Sequence, residues 1–320
     1  MQKLLPVTLI AVLCYLHTTA QVDTTAATND TTQSPAHSYF KARISYLSNS
    51  VYNGRKDSLP VPYLTPTLEY FHKSGLFAKA SISYMVSSYA QRIDLYQLEA
   101  GFQFELHDNF SGSISGSKPF YNSSSLSVLS ETKGELNAGF SWNIANAVSF
   151  NAGAGYIFTT GMGDKFFNAG LAHEFVFGKN KQWSMEPAVT ANFSTRNYYE
   201  QYKKNRRLKT GKIKKQNDST VTNTGNQKVD VTTTITTLDT NKLLMMDSEV
   251  SLSVYYDAGK WSFFATPTLA IPSSPATYIT TIATSRTLAN GTVTHNSHSV
   301  SSAETIGNTF YMEAGVSYRF

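Results

Sequence analysis

The stretch FYMEAGVSYRF, residues 310–320, sets an apolar or aromatic side chain at every second position, from Phe310 to Phe320. Between them come Tyr311, Glu313, Gly315, Ser317 and Arg319. Strict alternation is the period of a β-strand, whose successive side chains face opposite sides of a sheet. The last residues of a soluble domain usually fray, so alternation carried through Tyr318, Arg319 and Phe320 reads as a segment built into a sheet.

The same pattern recurs along the chain. Segments of about ten residues alternate apolar with polar, the weak dyad signal of a transmembrane barrel strand. In order they centre on YFKARISYL, YLTPTLEYF, LFAKASISYM, YQLEAGFQFEL, FSGSISG, ELNAGFSWNI, VSFNAGAGYIF, FFNAGLAHEFVF, WSMEPAVTANF, MDSEVSLSVYY, WSFFATPTLAI and TFYMEAGVSYRF. They number twelve, and a bacterial single-chain barrel requires an even count. The predicted class is therefore all-β, an antiparallel membrane-spanning barrel over residues 38–320.

Composition agrees with this reading. Hydrophobic residues make up 41% and aromatics 13%, yet the mean hydropathy is only -0.25 because alternation disperses the apolar positions. Serine, threonine, asparagine and glycine between them disfavour helices and suit strands with one polar face.

Residues 1–20 read as a secretory signal, with Lys3 as charged head, an apolar run from Leu4 to Leu16 and a small-residue exit ending at Ala20. The run is about a dozen residues, short of the roughly twenty of a membrane-spanning helix. Cys14 is the only cysteine, so the mature chain offers no disulfide framework and no thiolate site. Residues 21–37 are polar and without apolar period, a flexible periplasmic leader.

Connections supply an independent check, since barrel strands are joined alternately by tight periplasmic turns and longer outer loops. Short turns fall at HKSG (72–75), HDN (107–109), ANA (145–147), GKNKQ (178–182) and DAGK (257–260), each after an even-numbered segment. Two of the outer connections are long extracellular loops, 196–244 and 272–307. Trp142, Trp183 and Trp261 flank short turns, where amphipathic rings meet the membrane interface.

An alternating last strand ending in aromatic, basic, Phe resembles the carboxyl-terminal signature of Gram-negative outer-membrane barrels. The resemblance implies outer-membrane residence among lipid and lipopolysaccharide, and handling by the barrel assembly machinery through the strand that ends in Phe320. It covers architecture and brings no active site. The tripeptides at Asp23, Asp30, Asp57 and Asp218 (DTT, DSL, DST) resemble Bacteroidota O-glycosylation sequons.

Alternation sorts the charged strand residues to one face, away from lipid. The expected lumen-lining acids are Glu69, Glu99, Glu105, Glu174, Glu186, Asp247, Glu249 and Glu313; the bases are Lys41, Arg43, Lys79 and Arg319. Lys41, Glu69, Lys79 and Glu105 fall on successive segments at similar depth, which predicts a cross-strand ion-pair girdle. Segments five to eight turn inward small residues, among them Ser113, Asn137, Gly139, Asn151, Gly153 and Gly170. Space beside that wall favours a narrow passive pore for small polar or cationic solutes; a plugged barrel displaying loops for adhesion, surface binding or envelope structure is the alternative.

No catalytic constellation emerges and no cofactor is expected. His173 falls near a short turn and Ser248 near the opposite rim, too far apart for nucleophile and base. His295 and His298 are two ligands where zinc needs three or four. The loop cations Lys203, Lys204, Arg206, Arg207, Lys209, Lys212, Lys214 and Lys215 suit a surface polyanion such as lipopolysaccharide phosphate. Only Tyr198, Tyr199 and Tyr202 stand beside them, short of the stacking platform of a nucleic-acid site.

Overall fold

The computed structural model describes residues 37–56, 60–88, 90–125, 127, 129–144, 147–197, 222–223, 228–288 and 292–320. The signal segment, nearly all of the leader, the four sequon aspartates and the cationic loop lie outside them. Among the described residues no helix is long and apolar enough to cross a membrane.

Twelve antiparallel strands close into a barrel. They are β1 (Tyr39–Leu47), β2 (Tyr63–Phe71), β3 (Leu76–Ser87), β4 (Ala90–His107), β5 (Phe110–Tyr121) and β6 (Thr132–Ile144). There follow β7 (Val148–Thr159), β8 (Asp164–Ala172, resuming at Phe175–Phe177), β9 (Trp183–Ser194), β10 (Leu244–Ala258), β11 (Trp261–Pro272) and β12 (Thr309–Arg319). Each expected segment is a strand, several of them longer at the ends than alternation alone delimits. The interruption in β8 has a local cause: Pro187 of β9 faces His173, accepts its N–H at 3.2 Å and has no N–H to return.

Closure is made by β12 against β1, in register from Lys41 with Arg319 to Leu47 with Glu313. The Phe320 N–H adds a bond to the Phe40 carbonyl at 2.9 Å. No barrel edge is left, which is what a sheet in hydrocarbon requires. The outward positions, such as Phe40, Leu68, Leu98, Leu136, Leu171 and Phe310, are large, apolar and exposed, a continuous face that lipid covers. Toward the short-turn end this face becomes aromatic: Trp183 packs on Tyr256 with ring centroids 4.6 Å apart, Trp261 on Tyr318 at 4.8 Å and Tyr318 on Phe320 at 5.1 Å.

Past the long-loop end stands a separate four-stranded sheet. Thr277–Thr287 pairs with Val293–Ala303, the hairpin that the Thr-rich flanks of Asn290-Gly291 suggest, while the turn dipeptide itself is outside the described residues. Lys228–Thr237, rising toward β10, pairs with the other edge of Thr277–Thr287.

Candidate functional site: the lumen

At the short-turn end the inner face carries a charge ladder. Cross-strand register sets Arg319 beside Lys41, Lys41 beside Glu69, Glu69 beside Lys79 and Lys79 beside Glu99. Arg43, one inward position deeper on β1, reaches Glu69 with Nη2 3.4 Å from Oε1 and lies over the Phe264 ring at 5.6 Å. Lys79 Nζ is 3.7 Å from Glu99 Oε2. Inward aromatics floor the ladder: Tyr39 stacks on Phe71 at 5.0 Å, Arg319 covers Tyr39 at 4.9 Å and Lys79 lies 5.0 Å over Phe77.

The girdle thus exists with one member corrected. Glu99 stands where Glu105 was expected. β4 overshoots β3, so Glu105 pairs with Ser111 beyond Leu76, exposed at the barrel's end. Depth depends on stagger between strands, which alternation within one strand does not report. Glu174, also exposed, and half-buried Glu186 face one another across β8 and β9. Glu313, Glu249 and Asp247 are buried on β12 and β10.

The two halves of the inner wall differ in exposure. On β1 and β2, Lys41, Arg43, Ser45, Thr65, Thr67 and Glu69 are all buried. On β5 to β7, Ser111, Ser115 and Glu135 are buried as well, but Ser113, Asn137, Ser141, Asn143, Ser149 and Asn151 are only half-buried although they face inward. Short side chains on one wall leave lumen space that long charged ones fill on the other.

That space does not persist to the long-loop end. There Phe166 leans over Gly155, where an added Cβ would come within 2.3 Å of the ring. A hairpin from the β1–β2 connection also folds into the mouth. Val51–Tyr52 pairs with Arg55–Lys56 around Asn53 and Gly54, with φ of 50° and 71°. Tyr52 joins a buried cluster with Leu129, Ala276 and Ile157, the last on the wall opposite β1. Arg55 anchors the far side, its Nε donating to Glu304 Oε2 at 3.1 Å and Nη2 to the carbonyls of Ser273 and Ser274 at 3.2 and 3.0 Å. The sequence signal was present: Asn-Gly with both residues at positive φ is the favoured hairpin turn.

Three further acids face inward beyond those expected from the sequence. Asp94 is the extra residue of a bulge in β4 and is buried, accepting from Tyr63 Oη at 2.7 Å and Ser125 Oγ at 2.6 Å. Glu135 begins the inward row of Asn137 and is buried too. Asp164 at the head of β8 accepts from Thr195 Oγ1 at 2.6 Å.

His173 Nδ1 contacts the Ala147 carbonyl, whereas Ser248 pairs with Ala191 and Ile271 nearer the other rim. They do not meet. His295 and His298 sit three apart on one strand and point to opposite faces, with His295 Nδ1 2.8 Å from Ser285 Oγ. Among the described residues no group of three His, Cys, Asp or Glu gathers as for a metal. A groove of about 800 Å³ lies on the outer, lipid-facing side between Tyr70, Leu76, Phe102, Ile114 and Leu136, away from the lumen.

No protein-family model and no curated protein matches the chain. Among solved structures it is similar to a KdgM porin, at 8% identity over 88% of this chain and 99% of that one, with a TM-score of 0.41. It is also similar to the CymD monoaromatic hydrocarbon channel, at 10% identity over 90% of this chain and 89% of that one, with a TM-score of 0.33. BamA from Haemophilus ducreyi lacking POTRA domains 1-3 matches at 10% identity over 88% of this chain and 70% of that one, with a TM-score of 0.32. The closed twelve-stranded barrel stands on the chain's own strand pairing, and similarity this distant assigns it no solute and no partner.

Proposed function

We propose that the chain is a narrow channel of the Gram-negative outer membrane that passes small polar solutes and favours cations over anions. Its short-turn end then faces the periplasm. The observation that carries the reading is the contrast between the half-buried Ser113, Asn137, Ser141, Asn143, Ser149 and Asn151 of β5 to β7, which alternate with buried Ser111, Ser115 and Glu135, and the buried inward side chains of β1 and β2. Space bounded by hydroxyls and amides is a route for hydrated solutes. Glu99 and Glu186 border it, with Glu105 and Glu174 exposed at its periplasmic end, so carboxylates dominate the entrance and repel anions. The inward hairpin of residues 51–56 narrows the outer mouth and sets the solute size.

Planar-bilayer conductance of the purified barrel tests this. The expected result is discrete current steps with a reversal potential displaced toward the cation equilibrium. A second reading, a non-conducting barrel that displays its outer sheet for adhesion or surface binding, draws on the hairpin lying across the mouth. Silence from both the native protein and a variant lacking 51–56 would put that reading first.

The lipid-facing belt suits an outer leaflet of lipopolysaccharide, whose phosphates are the proposed partners of the cationic loop 203–215. The strand ending in Phe320 is the proposed contact for the assembly machinery.

A further inference from the structure

Val293–Ala303 is the outermost strand of the four-stranded sheet beyond the barrel mouth. Thr277–Thr287 holds one side of it, and among the described residues nothing pairs with the other. All of its residues are exposed. Proteins blunt such edges with short strands, bulges, proline or charge, because a row of unpaired N–H and C=O groups recruits another strand. This edge carries none of those devices. It is 11 residues long, its register against Thr277–Thr287 is unbroken, and it contains no proline, lysine, arginine or carboxylate.

The phase of the hairpin fixes which backbone groups stand open. At one end of its ladder the Leu288 N–H donates to the Thr292 carbonyl at 2.9 Å; at the other the Glu304 N–H donates to the Ala276 carbonyl at 2.7 Å. Hydrogen-bonded and non-hydrogen-bonded pairs alternate along an antiparallel ladder, so the even-numbered residues from Thr294 to Ser302 direct their backbone groups into the hairpin. Val293, His295, Ser297, Ser299, Ser301 and Ala303 direct theirs away from it.

We propose that this edge pairs antiparallel with the same edge of a second copy of the chain. Full overlap of the strand with itself sets Val293 against Ala303, His295 against Ser301 and Ser297 against Ser299, so every outward N–H and C=O meets a partner. Between these, Thr294 lies beside Ser302, a cross-strand hydroxyl pair, and His298 lies beside its own copy on the two-fold axis. No carboxylate meets a carboxylate, and no lysine or arginine meets another. A two-fold interface must be self-complementary, and a strand that satisfies its whole open edge with its own sequence favours a second copy over a foreign strand. The inference does not rest on the barrel's conducting, because association is read without current.

Light scattering of the full-length protein refolded in detergent tests the pairing, with twice the mass of one chain per particle expected at high protein concentration. Ser297→Pro removes an outward N–H that the hairpin does not use, so heat-modifiable gel migration should persist while dimer affinity falls about tenfold or more. Register is read with disulfides on a Cys14→Ser background. Opposed residues at a non-hydrogen-bonded position have Cα atoms about 4.5 Å apart, within disulfide range, so His298→Cys should oxidise to a covalent dimer. Thr294→Cys and Ser302→Cys should each stay uncrosslinked alone and give a mixed covalent dimer when combined. A native protein that is monomeric at every concentration overturns the pairing, as does a dimer that Ser297→Pro leaves undiminished. Crosslinking of Thr294→Cys alone that matches His298→Cys overturns the register. If Ser297→Pro does not fold, the native mass and the cysteine pairs decide.

Discussion

Gly54→Ala should release the hairpin from the barrel mouth. Gly54 has φ of +71°, and an L-residue in the left-handed region costs about 1–2 kcal/mol. The new methyl would stand 2.8 Å from Asp247 Cβ and 2.9 Å from Pro272 Cβ, so one side must move, and overpacking of this kind costs about 1–3 kcal/mol. Together these give about 2–5 kcal/mol against the docked state, a shift in the docked-to-released ratio of roughly 30-fold to several thousand-fold. An Arg-specific protease reads the change directly, because Arg55 is buried in the docked hairpin and becomes a cleavage site on release, whereas neighbouring Lys56 is exposed throughout. The variant should be cut far faster than the native barrel and should conduct in larger steps. Gly54→Asn separates the two causes, since asparagine tolerates positive φ but brings the same Cβ. A folded Gly54→Ala protein as resistant to the Arg-specific protease at Arg55 as the native one would refute the packing argument.

Three other outcomes follow from the lumen and the surface. Glu69→Gln removes a carboxylate that is 1% exposed and lies between Lys41, Arg43 and Lys79, so it should cost about 3–5 kcal/mol in urea unfolding. Glu99→Gln, in a wetter pair, should cost about 1 kcal/mol or less, and equal losses would contradict the ladder as described. Glu99→Gln with Glu186→Gln should move the bilayer reversal potential toward zero selectivity; an unchanged potential would mean that other groups set ion preference. Deleting 203–215 should reduce association with lipopolysaccharide at low salt and make no difference at high salt, where exposed charges are screened.

The strands were legible because membrane and lumen impose opposite polarity on alternate residues, and that pattern survives in a single sequence. That the segment ending in Phe320 is built into the sheet followed from the same logic. What stayed hidden depends on relations between strands. Whether Glu99 or Glu105 meets Lys79 is fixed by stagger, and Asp94 turns inward only because a bulge shifts its parity. Filling of the upper wall required knowing that Tyr52 reaches Ile157, a contact between distant parts of the chain. The hairpin was different, since VYNGRK carries the same Asn-Gly signal as residues 290–291, at the tip of a connection too short to draw notice as a loop.

The outer sheet gives the barrel's surface an unusual form of redundancy. Lys228–Thr237 belongs to the connection between β9 and β10, and Thr277–Thr287 to the one between β11 and β12, so their ladder from Lys228 with Thr287 to Thr237 with Tyr278 stitches two connections that the chain itself does not join directly. A peptide bond cut in the stretch 198–221 would leave the severed end still held by that ladder and by the pairing of β9 with β10. Surface scission would then change the covalent map of the molecule while leaving its shape intact, and the nicked protein would come apart only when the strands themselves are melted.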